Sequence, residues 1–221
     1  MSRPLWLKIG LSLLFVAGAA ALYQIIAPLV QPLPVYMALP NVTLIDQEEG
    51  VFDLAQTRGK VVVLSPIYTY CPDICPLTTA KMKLIQERIE NAGLDDQVQL
   101  VTVTMDPERD SPKVLKRFSN AFNADPANWV FLTGTFEQID VLFEALGLYV
   151  ERVYYINNTP VPESSLPDPE DGTAYLINHT DLIFLVDRQG NVRALPPGSR
   201  ADVDDVMQLI QKLVDEQNGE K

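Results

Sequence analysis

The sequence predicts an α/β fold, a central mixed sheet flanked by helices, with an N-terminal transmembrane helix. Three observations indicate it: apolar runs of strand length alternate with amphipathic helical patterns, a hairpin signature lies near the C-terminus, and an uncharged apolar stretch lies near the N-terminus. The chain of 221 residues, 47% hydrophobic and 21% charged, is long enough for one well-buried domain with appendages. Its net charge of −12 argues against a nucleic-acid partner, because phosphate binding needs the opposite sign.

The predicted membrane anchor is the segment 9–27, which carries no charged side chain. As a helix it would be about 28 Å long, close to the hydrocarbon thickness of a bilayer. Arg3 and Lys8 precede this segment, and no lysine or arginine follows before Arg58. Because positive charge stays on the cytoplasmic side, we expect residues 1–8 in the cytoplasm and the domain outside the cell membrane, most simply a bacterial one.

A cleaved signal peptide is the alternative interpretation of this segment, because Ala19-Ala20-Ala21 offers small residues to a peptidase. The apolar run continues through Ile25 and Ile26, which a cleaved signal does not need. We therefore expect the anchor to be retained.

The segment 28–40 contains four prolines and is predicted to be an extended stalk. In a polyproline II conformation it would reach roughly 40 Å from the membrane. The alternative is that part of it packs on the domain as an irregular arm.

The predicted domain spans residues 41–216, followed by a short tail at 217–221. Val61–Leu64 is wholly apolar, as expected for a central strand buried on both faces. Since Pro66 removes a ladder donor, we expect this strand to stop or bulge after Leu64. A helix is predicted over Pro76–Ala92, and Gly93 is placed to end it.

The later elements are assigned by periodicity and by their end signals. Strands are predicted at Val98–Met105, Trp129–Leu132, Leu182–Val186 and Asn191–Leu195, and helices after Ser111-Pro112, from a capping box at Thr135–Gln138 to Gly147, and over Val203–Val214. This order, two parallel βαβ units followed by a hairpin and a helix, is thioredoxin-like. The proline-rich, acidic stretch 157–172 is predicted to be a long exposed loop.

Cys71 and Cys75 lie where the first buried strand meets the first helix, so the helix dipole should lower a thiol pKa there. If the turn is helical, both residues share a face and their sulfurs can converge on one ion. A structural disulfide across so short a loop would contribute little. Sulfur ligands favour Cu(I), zinc or iron–sulfur chemistry, and the spacing alone leaves a metal site and a redox dithiol equally open.

His179 is the only histidine of the chain and stands three residues before the predicted strand Leu182–Val186. In a thioredoxin-like sheet this strand runs antiparallel to Val61–Leu64, which places His179 beside the cysteine loop. An imidazole with two thiolates suits a three-coordinate copper ion.

Four separated motifs share one order along the chain. They are Tyr68-Thr-Tyr-Cys71-Pro-Asp-Ile-Cys75-Pro76, Met105-Asp-Pro-Glu-Arg-Asp-Ser-Pro112, Trp129-Val-Phe-Leu-Thr-Gly134, and Asn178-His179-Thr180 with Phe184-Leu-Val-Asp187. Together they resemble the Sco/SenC copper chaperones. The resemblance implies a membrane-anchored thioredoxin-like domain that binds one copper ion, Cu(I) or Cu(II). It also implies a role in building the dinuclear copper centre of cytochrome c oxidase subunit II, with a copper donor or thiol reductant as a further partner.

By position in these motifs, Cys71, Cys75 and His179 correspond to the copper ligands of the family. Asp106 corresponds to an acidic residue near that site and is expected, at most, to support the ligands. We expect a metallochaperone rather than an enzyme. The alternative is a thiol–disulfide oxidoreductase that uses the Cys71/Cys75 dithiol.

Overall fold

The computed structural model describes residues 15–22, 24, 32–156, 159–161 and 175–218. The chain divides into two units, Met1–Leu33 and Pro34–Lys221. Residues 15–22 of the first unit are helical. In the described part of the chain, no helix is both long enough and apolar enough to cross a membrane. Most of the predicted anchor 9–27 lies outside the described residues.

The second unit contains a mixed sheet of eight strands and an antiparallel sheet of three. The strands are β1 (Met37–Ala38), β2 (Thr43–Asp46), β3 (Val51–Asp53), β4 (Val61–Ile67), β5 (Val98–Thr104), β6 (Trp129–Thr133), β7 (Val150–Ile156), β8 (Thr159–Val161), β9 (Tyr175–His179), β10 (Phe184–Val186) and β11 (Asn191–Ala194). The helices are α1 (Ile74–Ala92), α2 (Pro112–Ala121), α3 (Phe136–Ala145) and α4 (Val203–Asn218), with a short 3₁₀ turn at Leu54–Thr57.

The large sheet has the order β1-β11-β10-β4-β5-β6-β2-β3, and the small sheet has the order β8-β7-β9. Strands β4, β5 and β6 run parallel, and the other pairs of the large sheet are antiparallel. All residues of β4 and β6 are buried, as the apolar runs predict for strands covered on both faces. The predicted central mixed sheet with helices is therefore confirmed.

Strand β4 does not stop at Leu64, contrary to the sequence expectation. Its parallel register with β5 continues through Ile67, which lies opposite Thr104. The N–H of Met105 donates to the carbonyl of Ile67, so the backbone polar groups of Ile67 point toward β5. Those of Pro66 point toward the opposite edge of β4. On that edge, pairing with β10 ends at Leu64. The missing N–H of Pro66 therefore removes no ladder bond.

The end signals of two helices act as predicted. Gly93 adopts a left-handed conformation with φ of 68° and ends α1. Its N–H donates to the carbonyls of Glu90 and Ile89 in the last turn. Thr135 and Gln138 form the predicted capping box at the start of α3.

The three-stranded sheet was not predicted, because β7 and β9 lie on either side of a segment interpreted as a loop and β8 lies within it. Strand β8 lies inside the predicted loop 157–172, so residues 159–161 correct that interpretation. Residues 157–158 and 162–172 lie outside the described residues. Strand β9 pairs with β7 along its whole length, and its last residue, His179, lies opposite Val150.

Part of the segment expected to be a stalk belongs to the folded unit. Residues 37–38 form β1, which pairs with β11. Leu39 is 2% exposed, and the guanidinium of Arg193 donates to the carbonyl of Pro34. The alternative of an arm packed on the domain therefore holds for residues 34–40.

Candidate metal centre

The cysteine loop connects the end of β4 to the start of α1. The N–H of Cys71 donates to the carbonyl of Tyr68 at 3.2 Å, which closes a turn. Helix α1 begins at Ile74, so Cys71 precedes the helix and is not on its face. The Cys71 sulfur accepts the N–H of Cys75 at 3.4 Å and so satisfies one of the free donors at the helix start. Both cysteines are free thiols and are buried.

A buried carboxylate from the segment that follows β5 supports this loop. Asp110 is fully buried and accepts the backbone N–H of Thr69 at 3.0 Å and the hydroxyl of Thr104 at 2.5 Å. The hydroxyl of Thr69 also donates to Asp110. Since Thr69 lies two residues before Cys71, these bonds fix the loop to the end of β5.

Strand β9 brings the third donor to the cysteines. The Nε2 atom of His179 lies 3.5 Å from the sulfur of Cys75. The sulfurs of Cys71 and Cys75 and a ring nitrogen of His179 lie within 4.8 Å of one another. Among the described residues, this is the only group of three or more histidine, cysteine or acidic side chains placed to hold a metal ion. The predicted convergence of the three residues is confirmed.

The imidazole of His179 is oriented by its second nitrogen. Nδ1 lies 3.0 Å from the carbonyl oxygen of Thr180, which can only accept, so Nδ1 carries the proton. In the neutral ring, Nε2 therefore presents a lone pair toward the sulfurs. Metal-binding histidines are typically held in this way, with the other ring nitrogen bonded to a carbonyl or carboxylate.

The two thiols differ in acidity although they are adjacent. The pKa of Cys71 is lowered to about 3, chiefly because the Cys75 thiol hydrogen-bonds to its sulfur; burial opposes this and the imidazole of His179 supports it. The pKa of Cys75 is raised, because its proton is held by the Cys71 sulfur and because it is buried. Burial lowers the pKa of His179, but its hydrogen bonds to Cys71 and Thr180 outweigh burial and raise it. Cys71 is therefore the more acidic of the two thiols.

The donor set fits copper. Two sulfurs and one imidazole nitrogen are the soft and intermediate ligands that copper prefers, and the described cluster includes no carboxylate that would favour a hard cation. Cys71 is 8% exposed and His179 is half-buried, whereas Cys75 is 1% exposed, so the site is reached from the side of Cys71 and His179.

Asp106 is fully buried but is not a member of this cluster. It accepts the hydroxyl of Tyr175 at 2.5 Å and pairs with Arg109. Arg109 in turn stacks on the ring of Tyr175 at 3.6 Å. The partners of its carboxylate thus lie at the opposite end of β9 from His179, and no observed contact joins Asp106 to the three donors.

Two residues near the donors were not identified from the sequence as part of the site. The ring of Tyr68 meets the ring of His179 edge-on, with centroids 6.0 Å apart. Asp181 accepts the hydroxyl of Thr78 at 3.1 Å. Tyr68 belongs to the cysteine motif, and Asp181 directly follows the histidine motif. Closeness in sequence to a ligand motif was therefore the one signal that could have identified each residue.

The sequence around this site is similar to that of known proteins. The SCO1/SenC family model matches residues 38–215. A Stutzerimonas stutzeri protein named "Putative copper-binding protein" is 32% identical over 161 residues, which cover 73% of this chain and 70% of that protein.

Solved structures show the same fold. The crystal structure of a SCO1/SenC family lipoprotein from Bacillus anthracis str. Ames has a TM-score of 0.66 and 26% identity, covering 80% of this chain and 95% of that chain. BsSco, described as a member of the Sco family of cytochrome c oxidase assembly proteins, has a TM-score of 0.62 and 24% identity, covering 83% of this chain and 98% of that chain. The predicted thioredoxin-like fold is confirmed.

The family match includes both cysteines and the histidine and extends over nearly the whole second unit of the chain. This protein therefore belongs to the SCO1/SenC family.

Proposed function

We propose that this protein is a membrane-anchored copper chaperone, which binds one copper ion through Cys71, Cys75 and His179 and delivers it to the dinuclear copper centre of cytochrome c oxidase subunit II. The observation that carries the proposal is the convergence of two sulfurs and one imidazole nitrogen within 4.8 Å. Family membership, the name of the Stutzerimonas stutzeri relative and the oxidase-assembly description of BsSco support it.

The metal-free site is arranged to accept a soft ion. Cys71 is the more acidic thiol, and the proton that Cys75 shares with its sulfur is released when a cation replaces that hydrogen bond. Once the ring is neutral, Nε2 of His179 can bind the ion without a change of tautomer, because Nδ1 donates to Thr180. Copper loading therefore requires both the loss of the Cys75 proton and a neutral imidazole at His179, whose raised pKa makes protons compete with the metal.

Delivery requires that the ligands be reached by a second protein. Cys71 and His179 are the more accessible donors, and Tyr70, next to Cys71, is 59% exposed. We place this surface outside the cytoplasmic membrane, held there by the segment 9–27, with residues 1–8 in the cytoplasm. The charge asymmetry around that segment supports this orientation.

Anaerobic titration of the reduced protein with copper tests the proposal. We expect one copper ion per chain, and we expect Cys71→Ser and Cys75→Ser to abolish tight binding. Each substitution replaces a soft anionic ligand with a hydroxyl that stays protonated near neutral pH. Oxidising the pair to a disulfide should block loading as well, because the thiolate ligands no longer exist.

A thiol–disulfide oxidoreductase is the second candidate, and the unequal thiols favour it. The Cys71 thiolate would attack a partner disulfide, and Cys75 would then resolve the mixed disulfide, leaving a Cys71–Cys75 disulfide and two partner thiols. A thiol reductant would restore the pair. This function predicts reductase activity that requires both cysteines and is unchanged in His179→Ala. If the wild-type protein shows that activity and loses its copper on desalting, the chaperone proposal is wrong.

A further inference from the structure

The segment that carries His179 is attached to the cysteine-bearing elements on both sides of the histidine. Two residues before it, the N–H of Ile177 donates to the hydroxyl of Tyr68 at 3.2 Å. Two residues after it, the carboxylate of Asp181 accepts the hydroxyl of Thr78 at 3.1 Å, a hydroxyl shared with the Ile74 carbonyl at 3.0 Å. Tyr68 lies three residues before Cys71, and Thr78 lies three residues after Cys75. Each bond therefore joins the histidine segment to the segment of one cysteine.

The Tyr68 hydroxyl fills a specific need of strand β9. Among the described strands, β9 pairs only with β7, so the N–H groups on its outer edge need partners outside the sheet. Ile177 is 4% exposed, and the hydroxyl of Tyr68, which is 2% exposed, supplies that partner. The same residue accepts the N–H of Cys71 with its carbonyl and meets the His179 ring edge-on. Tyr68 thus contacts both the cysteine turn and the histidine strand.

The Asp181 carboxylate fixes the other side through three donor groups. Besides the hydroxyl of Thr78, it accepts the backbone N–H of Ser199 at 2.9 Å and the Ser199 hydroxyl at 2.6 Å. The backbone carbonyl of Asp181 accepts the N–H of Gly198 at 3.0 Å. A short side chain with this many partners has little freedom, so the chain that leaves His179 is held against α1.

We propose that Tyr68 and Asp181 are positioning residues that hold the Nε2 atom of His179 beside the two sulfurs before a metal arrives. The inference rests on the proposed function, because it assigns these residues to the same copper site. Cu(I) tolerates two sulfur ligands, whereas Cu(II) favours nitrogen ligands and a higher coordination number. Loosening the histidine should therefore weaken Cu(II) binding more than Cu(I) binding.

The variants Tyr68→Phe and Asp181→Asn test this with the reduced full-length protein and each copper ion as the probe. We expect each variant to lower the Cu(II) affinity by about tenfold, the range seen when a group that orients a metal ligand is removed. The Cu(I) affinity should change by less than about threefold, and the nitrogen coupling in the Cu(II) electron paramagnetic resonance spectrum should weaken. Tyr154→Phe is the matched control, because it removes a buried tyrosine hydroxyl from the neighbouring strand without touching Ile177. We expect no change in its copper properties.

A second measurement needs no metal and separates this inference from the chaperone proposal. In the metal-free protein, the Ile177 amide should exchange with solvent at least about tenfold faster in Tyr68→Phe than in Tyr154→Phe, because its acceptor is gone. If the wild-type protein does not bind copper but this difference is found, the chaperone proposal fails and the positioning of the histidine strand stands. If Tyr68→Phe keeps both the slow Ile177 exchange and the wild-type Cu(II) affinity, the inference is wrong. An equal loss of Cu(I) and Cu(II) affinity would overturn it as well, because the hydroxyl would then support the whole cysteine loop.

Discussion

The sulfur of Cys75 and the Nε2 atom of His179 lie 3.5 Å apart, although 104 positions separate the two residues in the chain. The mixed sheet brings them together, because β10 runs antiparallel to β4 with Phe184 opposite Leu64. Strand β4 then leads to the cysteines, and the chain before β10 carries the histidine. The cysteine pair is a local motif, whereas the complete donor set exists only in the folded domain.

The N-terminal boundary of the domain gives the first prediction. A fragment that begins at residue 34 should unfold at a higher urea concentration than one that begins at residue 41. The shorter fragment loses β1, the buried side chain of Leu39, and the bond from Arg193 to the carbonyl of Pro34. Burial of one leucine alone is worth about 1.5–3 kcal/mol. Equal urea midpoints, at equal dependence on denaturant, would show that residues 34–40 contribute nothing to stability.

The buried ion pair of Arg193 gives the second prediction. Arg193 bonds to Asp187 at 2.9 Å and to Glu216 at 2.8 Å, and Asp187 is 3% exposed. Arg193→Ala should lower the free energy of unfolding by about 3–5 kcal/mol, because it leaves a buried carboxylate without its cation. Arg88→Ala is the control, since Arg88 and Asp204 form a pair that is more than half exposed. The control should cost no more than about 1 kcal/mol, and similar losses in the two variants would contradict the prediction.

Much of this site could be predicted because local signals and topology agree. The cysteines stand at a strand-to-helix junction that hydrophobic patterning locates. His179 was then placed by the antiparallel pairing of the hairpin strand with β4, which the structure confirms. Both steps depend on the strongly apolar strands, whose burial leaves few alternative arrangements.

The parts of the fold and of the site that could not be predicted depend on contacts between residues far apart in the sequence. Strands β7 and β9 pair across a segment rich in proline and acids, so their partnership is invisible to periodicity. Strand β4 continues beyond Pro66 because its pairing with β10 has already ended at Leu64, and only the strand register shows this. The bond from Ile177 to Tyr68 joins residues 109 positions apart and has no sequence signature of its own.

The buried carboxyl of Asp110 gives a prediction on pH dependence. Burial raises its pKa, and the hydrogen bonds from Thr104 and Thr69 reduce this effect without cancelling it. The folded pKa is above the unfolded value of about 3.9. The protonated carboxyl therefore makes its whole contribution to the free energy of unfolding when the pH is below the unfolded pKa. It is lost as the pH rises through the folded pKa.

Chemical unfolding of the wild type and of Asp110→Asn across this pH range measures the effect. The stability of the wild type relative to the variant should fall as the pH rises from about 4 and then level off above the folded pKa of Asp110. A relative stability that rises over the same range would show that the fold stabilises the carboxylate instead.

The close approach of Gly198 to Asp181 gives the last prediction. A Cβ atom at position 198 would lie 2.0 Å from a carboxylate oxygen of Asp181 and 3.0 Å from the hydroxyl of Thr78. Gly198→Ala should therefore push the carboxylate away from Thr78 and Ser199 and loosen the chain that leaves His179. We expect the Cu(II) affinity to fall by about tenfold, with a smaller change for Cu(I) because the sulfurs are untouched.

Gly93→Ala is the control for this prediction, because it separates lost stability from lost positioning. Gly93 has a φ of 68° at the far end of α1, and a Cβ atom added there would have no neighbouring atom within 4 Å. Alanine there should cost about 1–2 kcal/mol of stability through backbone strain and leave both copper affinities unchanged. If Gly198→Ala and Gly93→Ala lower the melting temperature equally and neither alters Cu(II) affinity, Asp181 does not hold the histidine. If only Gly198→Ala weakens Cu(II) binding, the loss comes from the displaced carboxylate, because the control shares the instability but not the contact.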